Sequence, residues 1–378
     1  MMKPPRREKN RFNLPAAPGS IDVCLTGKCN LRCKYCFYAD EMAALSDLPT
    51  DRWLAFFAEA GGIGVQRLCL SGGEAFTRPD FFTLVDGVIA NRMRYSILTN
   101  GVLINDKVIA AFKVGKRRLR LDSIQVSIDG STASVHDASR PPASFDRALR
   151  GLRLLKANGF PVTCRVTINR HNVHDLANIA RLLLEDVGLN GFGTNSADRF
   201  GSARCYGQDV ILSPGEWDLA VKTMDELAQR YPGRINAAAG PLAFAKNVKQ
   251  IEAALSEGKT GLPRRGKLSA CGGVFSKLAV LHDGAIVPCN MLPTLVMGRI
   301  GATPLQDAWL FGHYANSLRE RYATPITTIP GCEDCRFAGF CTGGCPAVVF
   351  ARHETLNAVD LENCYKKYVE SKNVSLRS

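Results

Sequence analysis

Four cysteines crowd the stretch CLTGKCNLRCKYCFYADEM, residues 24 to 42, and three of them, Cys29, Cys33 and Cys36, stand in the spacing C-x3-C-x2-C. Thiolates bind soft metals, zinc and iron–sulfur clusters above all. A closed zinc site takes four protein ligands, whereas three thiolates on a four-iron cluster leave one iron open to an outside ligand. Cys24 is placed to complete a set of four, but it lies in the segment leading into the loop, where a cysteine commonly packs as a small buried residue. A second series runs Cys271, Cys289, then GCEDCRFAGFCTGGC with Cys332, Cys335, Cys341 and Cys345 as C-x2-C-x5-C-x3-C, and closes at Cys364. Its C-x2-C spacing alone permits zinc ribbons as well as iron–sulfur ligation.

The chain that must position these thiols has 378 residues, 14 of them cysteine. It is too long for a disulfide scaffold, and clustered cysteines in a reducing compartment read as metal ligands. That length predicts two domains, or one large α/β domain with an appendage. No apolar run approaches the roughly 18 residues of a membrane span. The basic N-terminus, MMKPPRREKNRFNLPAAPGS, lacks the apolar segment of a secretory signal, so a cytoplasmic protein is expected. The net charge of +13, with runs at Lys3 to Arg11, Lys113 to Arg120 and Arg264 to Lys267, favours acidic partners in general. Any one run also reads as a solvated surface. Aromatic residues are not interleaved with these runs as a nucleic-acid stacking surface requires.

IDVCLT reads as a strand, and PTDRWLAFFAEAGG as a helix with Thr50 at its N-cap and the glycines at its stop. RLCLSGGE, RYSILTNG, SIQVSIDG, VTCRVTINR and GFGTNSA continue the strands, with helices near 79–92, 105–113, 144–158 and 173–186 between them. This alternation implies a parallel sheet with right-handed crossovers, a partial (β/α)6 barrel of TIM type where a full barrel takes eight units. The chemistry-bearing residues fall at the carboxyl ends of the strands: the cysteine loop, Gly72-Gly73-Glu74, Thr99-Asn100-Gly101 and Ser127-Ile128-Asp129-Gly130. Parallel α/β sheets place their sites at that edge. The predicted organisation is a basic segment over 1–20, the barrel over 21–200, a helical connector over 201–265 and a small cysteine-rich domain over 266–378.

The C-x3-C-x2-C loop after a first strand, with Tyr35 just before its last cysteine, resembles the cluster loop of radical S-adenosylmethionine (SAM) enzymes, and SGGE at 71–74 is similar to that family's Gly-Gly-Glu segment. The resemblance implies a [4Fe–4S] cluster on Cys29, Cys33 and Cys36 whose open iron chelates SAM. Gly72 and Gly73 would let backbone approach a ligand, and Glu74 would pair with the ammonium of the methionine part. Asn100 and Ser127 would face SAM, and backbone at Tyr38 would meet adenine. Arg140, in VHDASR, would help hold the cofactor's carboxylate, with a helix cap and surface salt bridge as the alternative reading of that segment. The implied chemistry is reductive cleavage of SAM to a 5′-deoxyadenosyl radical that removes hydrogen from an unactivated carbon. The protein supplies binding, orientation and exclusion of competing reactions.

The second cysteine series resembles, cysteine for cysteine, the C-terminal extension called SPASM, which carries auxiliary iron–sulfur clusters. Carried over, one cluster takes Cys332, Cys335, Cys341 and Cys364, and the other Cys271, Cys289 and Cys345. Sulfatase-maturing relatives have a further cysteine shortly before the first of these; here the stretch reads RRGKLSA. That cluster is therefore left with an open iron, a non-cysteine ligand or a thiolate from elsewhere, such as Cys205. Those relatives also use an aspartate after the second cysteine as a base, where this chain has Asn290, an amide that accepts no proton at working pH. This counts against formylglycine formation by the same means.

Most proteins of this architecture resemble maturases of ribosomally made peptides. VCLTGKCNLRCKYCFYADEM and ANRMRYSILTNG most resemble maturases of precursors with Nif-type leaders, a group that includes peptide spliceases, which excise a tyramine unit and leave a β-amino acid. The expected substrate is a precursor peptide, and the expected outcome is backbone excision, cross-linking or epimerisation. Residues 1–20 are too few for a peptide-binding domain, so a partner protein or the barrel itself would take the leader. An acidic carrier, flavodoxin or ferredoxin, would bring electrons. The alternatives are a radical SAM dehydrogenase of a small molecule such as an aminosugar, and a basic zinc protein that binds nucleic acid.

Overall fold

Along β3 (Arg94–Thr99), Tyr95, Ile97 and Thr99 are buried while Arg94, Ser96 and Leu98 are half-exposed, the period-two pattern of a strand with two different faces. The same alternation recurs in β1 (Ser20–Cys24), β2 (Arg67–Ser71) and β4 (Leu121–Ser127), and less regularly in β5 (Val162–Ile168) and β6 (Phe192–Ser196). The computed structural model describes residues 10, 12–44, 46–269 and 272–375. In it these six strands lie side by side in chain order, all parallel. The crossovers carry helices at Thr50–Ile63, Phe81–Ala90, Asp106–Phe112, Ser144–Ala157 and Leu176–Arg181.

One face of the sheet is apolar and packs under those helices: Val23, Leu70, Ile97, Val126 and Val166 share a core with Trp53, Phe57, Leu84, Val88, Leu152 and Leu155. Fully burying each such side chain stabilises the fold by roughly 1.5–3 kcal/mol. The other face is polar. Asp22, Cys69 and Ser96 lie in register across β1 to β3, and Ser127 is in register with Arg165.

The sheet extends past the six expected strands at both edges. Within 201–265, helices Pro214–Arg230 and Pro241–Ser256 flank a short strand, β7 (Ile235–Ala237), parallel to β6. Ser213 and Glu216 form a capping box that fixes the start of the first of these helices. On the opposite edge β8 (Lys277–Val280) pairs parallel to β1, and β9 (Ala285–Val287) and β10 (Gly298–Arg299) follow antiparallel. The short outer strands leave little unpaired edge. Thr50 is not the N-cap expected of it. Pro49 takes that position, and the Thr50 hydroxyl donates instead to Asp80 Oδ2 at 2.6 Å, a carboxylate that also receives Arg78. Among the described residues no helix is long and apolar enough to cross a membrane.

Candidate active site

The cysteine loop is laid on the end of β2 by backbone. Leu25 N donates to Ser71 O, Gly73 N to Thr26 O and Glu74 N to Lys28 O, each at 2.8 Å. A Cβ on Gly72 would stand 2.4 Å from Thr26 O, and one on Gly73 2.3 Å from Lys28 O. Gly72 also holds φ at 135°, a conformation that favours glycine. The sequence reading assigned both glycines to close approach of a ligand; the approach they make here is to the cysteine loop itself. Glu74 is buried, and its carboxylate receives Thr99 Oγ1 at 2.8 Å, Asn100 N at 2.7 Å and Phe76 N at 3.3 Å. Burial raises its pKa against those donors. It joins the ends of β2 and β3, and acceptor capacity remains for an ammonium.

Cys29, Cys33 and Cys36 are half-buried on this loop. Burial pushes Cys29 up to about 11, Cys36 up to about 12, and Cys33 upward as well. These are neutral thiols until a metal's positive charge displaces their protons. Donors already face the sulfurs. Leu31 N lies 3.4 Å from Cys29 Sγ, Asn100 Nδ2 lies 4.0 Å from it and 2.8 Å from Asn30 Oδ1, and Arg140 Nη1 lies 3.8 Å from Cys33 Sγ. Three thiols with such neighbours suit an iron–sulfur group, whose potential responds to hydrogen bonds at sulfur. Among the described residues no three His, Cys, Asp or Glu donors converge to hold a single ion. Cys24 is 1% exposed and packs with Tyr38, Ala279 and Leu281, in a cluster against which Cys36 also rests. Tyr38 is buried there too, its hydroxyl 2.7 Å from Nδ1 of His282, a residue without any signal in the sequence.

Asp129 is the residue the motifs understated. At 0% exposure it accepts from Arg140 Nε at 2.5 Å, from Thr167 N at 2.7 Å and from the Tyr35 hydroxyl. The Arg140 guanidinium also sits 5.5 Å from the Tyr35 ring centroid, and Lys34 N donates to Ser139 O at 2.9 Å. The cysteine loop is thus clamped to β4 and to the end of helix Ala133–Ser139, and the surface salt bridge considered for this segment is instead a buried pair. Ser127 closes β4 half-exposed, beside this network.

His136 completes it, its Nδ1 accepting from Asp129 N at 3.0 Å. Burial, with the Arg140 charge adding to it, holds His136 down at about 4, against about 6.5 in an unfolded chain. Above pH ~6.5 the ring is neutral in both states. As pH falls toward ~4 the unfolded chain takes up a proton that the native site refuses, so stability is lost, by roughly 3 kcal/mol in all. Urea unfolding is expected to show this decline, and His136→Asn to flatten it. A difference between the two proteins that does not change with pH would refute the assignment.

The C-terminal thiols form two groups. Cys332, Cys335 and Cys341 pack on Leu268, Ile326, Ile329 and Val359. Burial raises Cys341 to about 11, and the charges of Cys364, Cys332 and Cys335 push it the same way. Cys289 and Cys345 pack beside Phe200, Val274, Leu292 and Leu318. Cys271 lies outside the described residues. Cys205 is exposed, shortly after Phe200, in a segment held to the cysteine loop by Ser202 N donating to Cys36 O at 3.0 Å. Gly201 makes that approach possible, since a Cβ there would stand 2.2 Å from Cys36 O. Asn290 follows Cys289, whose Sγ lies 3.6 Å from its Oδ1.

Residues 23–183 match the family model of the radical SAM superfamily, and residues 271–336 that of SPASM, an iron–sulfur cluster-binding domain. Three curated proteins are similar along most of the chain. An AdoMet-dependent heme synthase of Methanosarcina barkeri is 28% identical over 89% of this chain and 93% of its own. A PqqA peptide cyclase of Ruegeria pomeroyi is 26% identical over 87% and 82%. The mycofactocin maturase MftC of Mycobacterium tuberculosis is 29% identical over 92% and 83%. Among solved structures, Streptococcus suis SuiB bound to precursor peptide SuiA aligns with a TM-score of 0.68 at 16% identity, covering 94% of this chain and 77% of its own. AnSMEcpe with bound AdoMet aligns at 0.66 and 14% identity, over 93% and 96%. The structural likeness is one of fold.

Proposed function

We propose that this radical SAM enzyme, an α/β core joined to a SPASM domain, modifies a ribosomally made precursor peptide. Bound at these sites, SAM and a reduced [4Fe–4S] cluster supply a 5′-deoxyadenosyl radical able to take hydrogen from an unactivated carbon. Cys29, Cys33 and Cys36 hold the cluster, and the Asp129–Arg140–Tyr35 network holds their loop. Glu74, Asn100 and Ser127, with backbone at Gly72, Gly73 and Tyr38, are the SAM contacts. In the SPASM domain, Cys332, Cys335, Cys341 and Cys364 hold one auxiliary cluster, and Cys271, Cys289 and Cys345 a second.

The observation that carries the peptide reading is that, of two relatives similar over most of their length, one is named a peptide cyclase and the other a maturase. Within that class we favour a precursor with a Nif-type leader and excision of tyramine, with cross-linking and epimerisation as the other outcomes. A leader-binding protein and an acidic flavodoxin or ferredoxin are the partners proposed. The heme synthase favours a second reading, a non-peptide substrate in the same barrel. Anaerobic co-expression with a short precursor encoded beside the gene, followed by peptide mass analysis, separates these. Loss of tyramine selects splicing, and loss of two hydrogens a cross-link. An unchanged mass that gains deuterium from heavy water selects epimerisation. A precursor untouched in every respect, with SAM still cleaved, favours the non-peptide reading.

A further inference from the structure

The polar face of the sheet is balanced in charge at one end and not at the other. Where β8 meets β1, Lys277 Nζ stands 2.6 Å from Asp22 Oδ2. On β5, Arg165 lies in register with Ser127 of β4 and with Gly193 of β6. Its guanidinium rests over Gly193: a Cβ there would come within 3.2 Å of Arg165 Cζ and Nη1, and within 3.1 Å of Asn236 Oδ1. Its hydrogen bond to protein runs from Nη1 to Thr194 O, at 3.2 Å the long end of the range. No carboxylate among the described residues pairs with it, and most of its N–H donors find no protein acceptor. Burial lowers the guanidinium's pKa, as happens when a cation loses water and gains no anion. Asn195, two residues beyond Gly193 on the same face and in register with Thr167, has a buried Oδ1 that also lacks a partner.

The buried, unpartnered amide oxygen lowers the stability of the empty protein, and the half-buried cation has no anion to offset the water it has lost. A guanidinium fork matches a carboxylate in two parallel hydrogen bonds, and an amide oxygen accepts an N–H. Gly193, by carrying no side chain, leaves room for the fork beside β6. We infer that Arg165 binds a carboxylate of the substrate inside the barrel, beside Ser127, while Asn195 Oδ1 accepts an N–H adjoining that carboxylate. The inference rests on the peptide reading and refines it: the modified segment carries an aspartate or glutamate side chain, or a free C-terminus, at the reaction site.

The test uses the native holoprotein under argon with phenylglyoxal, which modifies accessible guanidinium groups, and maps the Arg165 peptide by mass. The probes are acetyl-glutamate amide, its neutral counterpart acetyl-glutamine amide, and acetylglycine, each with saturating SAM. At about ten times its dissociation constant the matching acid is expected to slow modification about tenfold, and the neutral amide not at all. Protection by acetyl-glutamate amide identifies a side-chain carboxylate, and by acetylglycine a terminal one. Complete protection by SAM alone, with nothing added by either acid, assigns Arg165 to the cofactor and overturns the inference. Equal protection by acid and amide, or none by any probe, overturns it too. Iron, sulfide and 5′-deoxyadenosine formation measured on the same sample report separately on the radical SAM reading.

Discussion

Cys33→Ala protein, reconstituted without oxygen with iron and sulfide, is expected to yield no 5′-deoxyadenosine from SAM above the enzyme-free background. It is also expected to lose the EPR signal of the barrel-loop cluster while keeping those of the SPASM domain. Each thiolate of such a cluster holds a different iron, so two of three cannot keep it in place. Nor can Cys24 stand in, since its thiol is packed among Tyr38, Ala279 and Leu281 and lies 3.8 Å from Ser71 Oγ. Cys24→Ala is therefore the matched control: it removes a thiol from the same stretch and is expected to keep SAM cleavage near the native rate. Cleavage that survives Cys33→Ala and dies in Cys24→Ala would place the cluster on a different set of ligands.

Much of this site was legible because its determinants are local. Each motif ends a strand, and strand ends in a parallel sheet lie at one edge, so CLTGKC, SGGE, LTNG and SIDG could be assigned to the same region from order alone. What was not legible depends on contacts between distant segments. The two glycines of SGGE suggested an approaching ligand, and only the fold shows that the backbone of Thr26 and Lys28 also lies against them. Asp129 could be read only as part of the SIDG strand end, because its partners, Tyr35, Arg140 and Thr167, come from three other segments. Strands of two or three residues, such as β7 and β10, carry no usable period, so the sheet's extension at both edges could not be read. Thr50 has the right residue type for an N-cap, but a carboxylate thirty residues away took its hydroxyl. Arg165 matches no motif at all; its significance is the absence of an acidic neighbour, which is a property of the packed sheet.

The buried Asp129 carries the second large effect. Asp129→Asn keeps the shape and removes the charge that balances Arg140, a residue 8% exposed and locked in place by the Tyr35 ring and the end of its helix. The amide also brings donors to a position that receives three, so one of its contacts becomes donor against donor. Breaking one side of a buried pair costs about 3–5 kcal/mol, because the remaining charge stays desolvated. Asp129→Asn is accordingly expected to lose about that much in urea unfolding. Removing both charges together is milder, since an apolar pair of similar volume often restores most of the loss. The double variant Asp129→Leu with Arg140→Met is thus expected to be more stable than Asp129→Asn alone. Its cysteine loop, deprived of the Tyr35 anchor and of the donor at Cys33 Sγ, should still bind iron poorly, so recovery of stability without recovery of iron is the signature of a clamp on the loop. A loss below about 1 kcal/mol in the single variant would show that solvent, rather than Asp129, balances Arg140.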